Sequence, residues 1–151
     1  MENTKTISVL ENLLETVQNG RKGFADAAEK FEEDGNEPLA AEMRQMSQQR
    51  LRMSNELKAL AAKEGAPIHN GDGSVAGTLH RSWMALRDAL SGGEPHAVLA
   101  AVEQGEDHAV AEYERALSSQ VPSSVKSVLQ RQFDEVTQSH DRVRDLRDRN
   151  K

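Results

Sequence analysis

The sequence predicts an all-α protein, a four-helix bundle in which a long crossover joins two antiparallel helical hairpins. Three observations support this prediction. Strong helix formers are abundant, since Ala, Glu, Lys, Leu and Arg supply 67 of the 151 residues, whereas aromatic residues make up only 3%. Apolar residues recur at alternating spacings of three and four along four long segments. The connections between these segments are short near both ends of the chain and long in the middle.

Four long amphipathic helices are predicted between prolines and glycines, which favour the first turn and the C-terminal cap of a helix. They span about Thr4–Glu33, Pro38–Glu64, Pro95–Ser118 and Ser123–Arg149. Each helix has one apolar stripe, and such a stripe is stable only when it packs against a partner. Because 151 residues suit one domain, we expect a single bundle over residues 1–151.

The middle connection, Gly65–Glu94, is about thirty residues long, which argues for structure within it. Its apolar residues have helical spacing and predict a short helix near Leu79–Leu90, with Ser74 as a cap for this segment and Trp83 as an anchor on the bundle. The short links instead define two hairpins, Thr4–Glu64 and Pro95–Arg149. Two hairpins joined by one long crossover form the ferritin-like plan among four-helix bundles.

Four segments of the chain also support a family resemblance. In order they are TISVLENLLETVQNGRKGFADAAE, GSVAGTLHRSW, EQGEDHAVAEYERAL and QRQFDEVTQSHDRVRDLRD. Together they resemble a family of uncharacterised bacterial four-helix-bundle proteins with a ferritin-like fold, described as a domain of unknown function. The resemblance implies the fold and a bacterial origin. It brings no settled activity and no catalytic residue.

Composition excludes several classes of function. The formal net charge of −6 argues against a nucleic-acid binder, which needs a basic face. The absence of cysteine excludes a disulfide framework and a thiol nucleophile. No apolar run is long enough to span a membrane, and the first residues lack the apolar core of a signal peptide, so a cytoplasmic protein is expected. A homo-oligomer remains open, and the physiological partner is not indicated.

The sequence argues against the di-iron site of ferritin-like enzymes. That site takes one Glu from each of two helices and a Glu-x-x-His pair from each of the other two. None of the five histidines has an acidic residue three positions earlier, because those positions hold Ala66, Gly77, Gly93, Gly105 and Thr137. A standard di-iron oxidase is therefore not expected, and no cofactor is predicted.

One smaller metal site is left as an alternative. Glu103 on the third long helix lies within about one turn of His140 in the hairpin, so Glu103, Glu106 and His140 could hold one divalent ion. The competing interpretation is that they hydrogen-bond to each other or face solvent. The remaining histidines, which are His69, His80, His96 and His108, are predicted to lie on the surface.

Each apolar stripe is interrupted by one polar residue near the middle of its helix. These residues are Arg21, Arg50, Glu106 and Gln132. Because a buried charge costs several kcal/mol unless it is paired, we predict a buried network in which both arginines donate to Glu106 and Gln132 completes the layer. Gly20, Gly23 and Gly105 flank this level and indicate close helix approach or room for a small ligand. The alternative is that an arginine buries only its stem and reaches solvent.

Three hypotheses about function follow. The leading one is a non-enzymatic bundle, a stress or housekeeping factor that acts by association, with an Arg/Glu layer in place of a di-iron site. The second is a degenerate ferritin-like metal protein that uses Glu103, Glu106 and His140. The third is a small-molecule carrier whose arginines hold an anion. No catalytic residue is predicted in any of the three.

Overall fold

The computed structural model describes residues 2–68 and 83–151, with side chains from residue 4 onward. These residues form five helices and no strand, so the prediction of an all-helical bundle is confirmed for this part of the chain. The helices are α1 (Glu2–Glu33), α2 (Glu37–Lys63), α3 (Met84–Leu90), α4 (Pro95–Leu117) and α5 (Ser123–Arg149). None of the described helices combines the length and apolar character needed to cross a membrane.

The predicted helix boundaries agree with the structure to within two residues at every end of the four long helices. Asn36 caps α2, since its Oδ1 accepts a hydrogen bond from the Leu39 amide. Gly35 and Gly65 follow α1 and α2 with φ angles of 78° and 90°, the left-handed conformation that favours glycine. The predicted cap Ser74 and the first part of the predicted crossover helix lie outside the described residues.

Contacts between the long helices establish their directions. In the first hairpin, Ser47 Oγ donates to the Arg21 carbonyl and Arg44 pairs with Glu32, so α1 and α2 are antiparallel. In the second hairpin, α4 and α5 are antiparallel, because Glu106 contacts Ser139 and Tyr113, two turns later in α4, contacts Gln132, two turns earlier in α5. Each short link therefore joins antiparallel neighbours, as predicted.

The two hairpins also meet through antiparallel neighbours. Arg142 pairs with Glu42 and Arg131 pairs with Glu56, which aligns α2 against α5 in opposite directions. At the other hairpin–hairpin contact, the start of α1 lies beside the end of α4, where both helices line one surface groove. The chain thus runs up α1, down α2, down α4 and up α5, and the long crossover returns it to the end where α2 began.

The core consists of two apolar clusters, one toward each end of the bundle. The first combines the N-terminal half of α1, the C-terminal halves of α2 and α4, and the N-terminal half of α5. The second combines the opposite halves, together with Leu86 of α3. The boundary between the two clusters lies between Val17 and Phe24 in α1 and between Met46 and Met53 in α2. Arg50 of α2, Glu106 of α4 and Ser139 of α5 lie at this boundary.

Trp83, which precedes α3, packs into a notch between the two hairpins. A Cβ atom added at Gly23 of α1 or at Gly105 of α4 would overlap the Trp83 ring. The ring also meets the Phe24 ring edge to face, with centroids 5.9 Å apart. These helical glycines are therefore explained by the close approach of an indole ring, and Trp83 anchors the crossover as predicted.

This notch yields a testable prediction. Gly105→Ala should destabilise the protein, since the new methyl group overlaps Trp83 and overpacking typically costs about 1–3 kcal/mol. In a Trp83→Ala background the same change should instead stabilise the protein by up to about 1 kcal/mol, because alanine favours the helix more than glycine does. Urea unfolding of the four proteins measures this coupling.

The matched control is Gly92→Ala, because nothing lies within 4 Å of a Cβ at Gly92. Its free energy of unfolding should change by less than about 0.5 kcal/mol. A stabilising effect of Gly105→Ala in both backgrounds would contradict the proposed role of Trp83.

Candidate functional site

An ion pair between Arg50 of α2 and Glu106 of α4 lies at the centre of the bundle. Arg50 Nη1 is 2.7 Å from Glu106 Oε1, and Arg50 Nη2 donates to Glu106 Oε2 at 2.8 Å. Both side chains have an exposed fraction of 0%. The Nη2–Oε2 contact is a hydrogen bond between two charged groups, which is stronger than one between neutral groups, whereas Nη1 and Oε1 meet in a close charge contact without hydrogen-bond geometry.

Residues from the other two long helices complete the surroundings of the pair. Ser139 of α5 accepts a hydrogen bond from Arg50 Nη2 at 2.7 Å, and its Oγ lies 2.6 Å from Glu106 Oε2, to which it donates. The Phe24 ring of α1 lies 5.1 Å from Arg50 Cζ in a cation–π contact. All four long helices therefore contribute to one closed site.

Gly20 of α1 provides the space for the guanidinium. A Cβ at this position would lie 2.9 Å from Arg50 Nη1, closer than side-chain carbons approach such atoms. Glycine thus takes the place of a core side chain at this position of α1. The long side chain of Arg50 fills the volume that an apolar residue of α1 would otherwise occupy.

Arg21 does not belong to this layer, which corrects the sequence prediction. Its side chain is exposed, and only its backbone carbonyl takes part in helix packing, by accepting from Ser47 Oγ. The inward face of α1 runs from Val17 through Gly20 to Phe24. Both Gly20 and Arg21 lie at spacings of three and four from Val17 and Phe24. In the structure Gly20 faces the core and Arg21 faces solvent.

Gln132 is buried as expected, but it has other partners than Arg50 and Glu106. Its Oε1 accepts from the Tyr113 hydroxyl at 2.7 Å, and its Nε2 lies 3.0 Å from Glu56 Oε1 and 3.3 Å from the Met53 carbonyl. Burial raises the pKa of Tyr113 well above its usual range, so this hydroxyl stays a donor. Hydrogen bonding to Arg131 holds the pKa of Glu56 below its ordinary value.

A second polar group lies on the flank of the α4–α5 hairpin. His140 Nε2 is 2.6 Å from Asp107 Oδ1 and 3.8 Å from Glu103 Oε2. The sequence placed Glu106 in this group, whereas Glu106 is directed into the core toward Arg50. The reason is helical geometry, because Asp107 follows Glu106 by one residue and so lies about 100° further around α4.

The surroundings of His140 determine its protonation. Burial lowers the pKa of His140, but hydrogen bonds with Asp107 and Asp141 and the negative charges of Asp107 and Glu103 outweigh it, so the pKa is raised. Asp141 Oδ1 lies 3.3 Å from His140 Nδ1, on the opposite side of the ring from Asp107. Glu103 in turn forms an ion pair with Arg147 of α5.

The two other described histidines, His96 and His108, are both partly buried, although surface positions were predicted. His96 Nδ1 lies 3.1 Å from the Arg147 carbonyl. The Nε2 atom of His108 is enclosed. Desolvation by this burial lowers the pKa of His108, and the positive charge of Arg115 adds to the effect against the opposing charge of Glu112. His69 and His80 lie outside the described residues.

Ser139 and Asp107 touch predicted site residues, and sequence reasoning missed both of them. Ser139 continues the apolar stripe of α5 between Val136 and Val143, so its spacing could have revealed it as a fourth member of the layer. Asp107 shares a flank of α4 with Glu103 at a spacing of four, a signal that the inward stripe alone does not include. The centre is thus a closed ion pair, and the flank offers an imidazole and two carboxylates.

Removal of one charge from the centre should be costly. Glu106→Gln leaves Arg50 buried without its counter-charge, and breaking a buried pair in this way costs on the order of 3 kcal/mol. Glu114→Gln, an equivalent change at an exposed position of the same helix, should cost about 0.5 kcal/mol or less. The two urea midpoints provide the comparison, and equal stabilities would contradict a structural role for the pair.

Acidification should reveal the burial of His108. Because its pKa is lowered in the folded state, the unfolded chain binds a proton first, and stability falls as the pH drops from neutral through about 6.5 and on through the lower folded pKa. His108→Gln should remove this loss. The measurement is the difference in unfolding free energy between variant and wild type at neutral and acidic pH, in which the opposite contribution of His140 cancels. A difference that does not change with pH would contradict the lowered pKa of His108.

Comparison with known proteins identifies a family. No curated protein matches the sequence. The model of the family described as a domain of unknown function, DUF2383, matches residues 5–119. This range covers α1 to α4 and includes both Arg50 and Glu106, whereas Ser139 and His140 of α5 follow it. The match spans more than half of the chain, and the protein therefore belongs to the DUF2383 family.

Proposed function

We propose that this chain is a ferritin-like bundle protein without enzymatic activity, in which the Arg50–Glu106 ion pair takes the central position of a di-metal site. The observation that supports this proposal is the complete burial of the Arg50–Glu106 pair together with a serine that is hydrogen-bonded to both partners. The guanidinium supplies the positive charge that metal ions supply in ferritin-like enzymes. In this proposal the protein acts by associating with a partner through its outer surface.

The order of the helices supports the ferritin-like part of the proposal. Two hairpins of antiparallel helices are joined by one long crossover, and the chain direction repeats between α2 and α4. This connectivity distinguishes ferritin-like bundles from bundles with short loops throughout. A bacterial origin rests on the family resemblance of the sequence.

The donor set at the centre does not fit a di-iron centre. Such a centre needs four carboxylates and two imidazoles directed inward. Among the described residues of the layer, the fully buried carboxylate is Glu106, and both of its oxygens contact Arg50. Arginine has no lone pair with which to bind a metal ion. The central layer therefore lacks the ligands for iron redox chemistry.

The geometry favours this function over a carrier of small anions. Such a carrier needs an uncompensated arginine that a ligand can reach. Arg21 is exposed on the outside of α1, and Arg50 is enclosed and neutralised by Glu106. The arginines therefore do not form a joint anion site.

Iron loading tests the proposal. The purified protein, exposed aerobically to ferrous iron, should show no catalytic turnover to ferric iron, because the centre lacks the Glu-x-x-His ligands. Absorbance of the ferric product and the metal content after desalting provide the two measurements. A ferritin with an intact di-iron site, treated in parallel, is the positive control.

Two outcomes are decisive. Iron oxidation no faster than in buffer supports the proposal. Two iron ions retained per chain together with turnover would refute it, since that result requires a ligand set that the Arg50–Glu106 layer cannot supply.

A further inference from the structure

We propose that Glu103, Asp107 and His140 form a binding site for one divalent transition-metal ion on the flank of the α4–α5 hairpin. This site is separate from the central ion pair and does not rest on the proposed function of the bundle. Glu103 and Asp107 come from α4, and His140 comes from α5. The ion would therefore join the two helices of the second hairpin.

The separation of the ligand atoms suits one ion. A carboxylate oxygen and an imidazole nitrogen bind zinc at about 2.0–2.2 Å, so ligand atoms around the ion lie roughly 3.0–3.5 Å apart. His140 Nε2 is 2.6 Å from Asp107 Oδ1 and 3.8 Å from Glu103 Oε2. The three ligand atoms all lie within 4.8 Å of one another. The two helices therefore already hold the three ligand atoms close to the spacing that one ion needs.

The ring of His140 is oriented as in established metal sites. Metal-binding histidines commonly use one ring nitrogen for the metal and donate from the other to a carboxylate, which fixes the tautomer. Asp141 Oδ1 is 3.3 Å from His140 Nδ1, so the proton of a neutral ring is held on that side. The lone pair of Nε2 is then directed toward Glu103 and Asp107.

Arg147 holds Glu103 in place and leaves part of it free for the ion. Its guanidinium pairs with Glu103 Oε1, whereas Oε2 is the oxygen that faces His140. The positive charge of Arg147 is itself shared with Asp148, at 3.0 Å. One carboxylate oxygen is thus positioned by an ion pair, and the other remains available as a ligand.

Solvent access differs among the three ligands in a way that allows an ion to enter. Asp107 is 65% exposed, whereas His140 and Glu103 are 18% and 13% exposed. Two ligands are therefore held against the helices, and the third is directed toward water. One imidazole with two carboxylates favours first-row ions such as Zn²⁺, while water molecules fill the remaining positions.

Zinc titration of the 151-residue chain, prepared without a histidine tag, tests the site. Isothermal titration calorimetry should show one Zn²⁺ bound per chain. His140→Ala and Asp107→Asn should each weaken binding by about tenfold or more, at least the effect that loss of a supporting group has in metal sites. Zinc should also raise the melting temperature of the wild type and have little effect on that of His140→Ala.

Two matched controls keep the test specific. His108→Gln removes a histidine of the same hairpin, and Glu114→Gln removes a carboxylate of α4, so both should bind zinc as the wild type does. Circular dichroism verifies that every variant is folded. The proposal is overturned if the wild type binds no zinc, or if His140→Ala and Asp107→Asn bind it with undiminished affinity. Iron oxidation is measured separately, so either proposal can fail alone.

Discussion

The ion pair between Arg50 and Glu106 constrains the packing of all four long helices. Burial of each charge costs several kcal/mol, and this cost is offset only when the geometry of the pair is close to ideal. The hydrogen bond between Arg50 and Glu106, the Ser139 hydroxyl and the Phe24 ring compensate for this burial from four different helices. A slip of one turn between α2 and α4, about 5.4 Å, would leave two charges buried apart. The pair therefore selects one register among those that apolar stripes alone would accept.

Accommodation of the pair explains features that otherwise weaken the bundle. Glycine in the middle of a helix costs about 1 kcal/mol relative to alanine, yet α1 has Gly20 where Arg50 approaches it. The apolar core is divided into two clusters at this level, so neither cluster extends along the full bundle. A uniformly apolar layer would pack without these costs. We infer that the pair compensates for these costs by specifying one arrangement of the four helices.

The sequence predicts the helices well because their apolar spacing and their terminal prolines and glycines are local signals. It predicts burial of Arg50 and Glu106 for the same reason. It fails at Arg21, because Gly20 satisfies the same spacing and has no side chain that a hydrophobic pattern could register. It also fails to pair Gln132 with Tyr113 and Asp107 with His140, since those contacts depend on the relative rotation of α4 and α5. That rotation is set by packing across the bundle and is not encoded in either helix alone.

The position of Trp83 in the notch makes its fluorescence sensitive to the packing of the two hairpins. Trp83 is the sole tryptophan of the sequence, and its ring lies between a glycine of the first hairpin and a glycine of the second. Either hairpin could form its helices without enclosing the ring, because the notch exists only where α1 and α4 meet. Intrinsic fluorescence of this protein is consequently a signal of hairpin docking, whereas circular dichroism is a signal of helix formation. Divergence of the two signals during refolding would separate the two events in time.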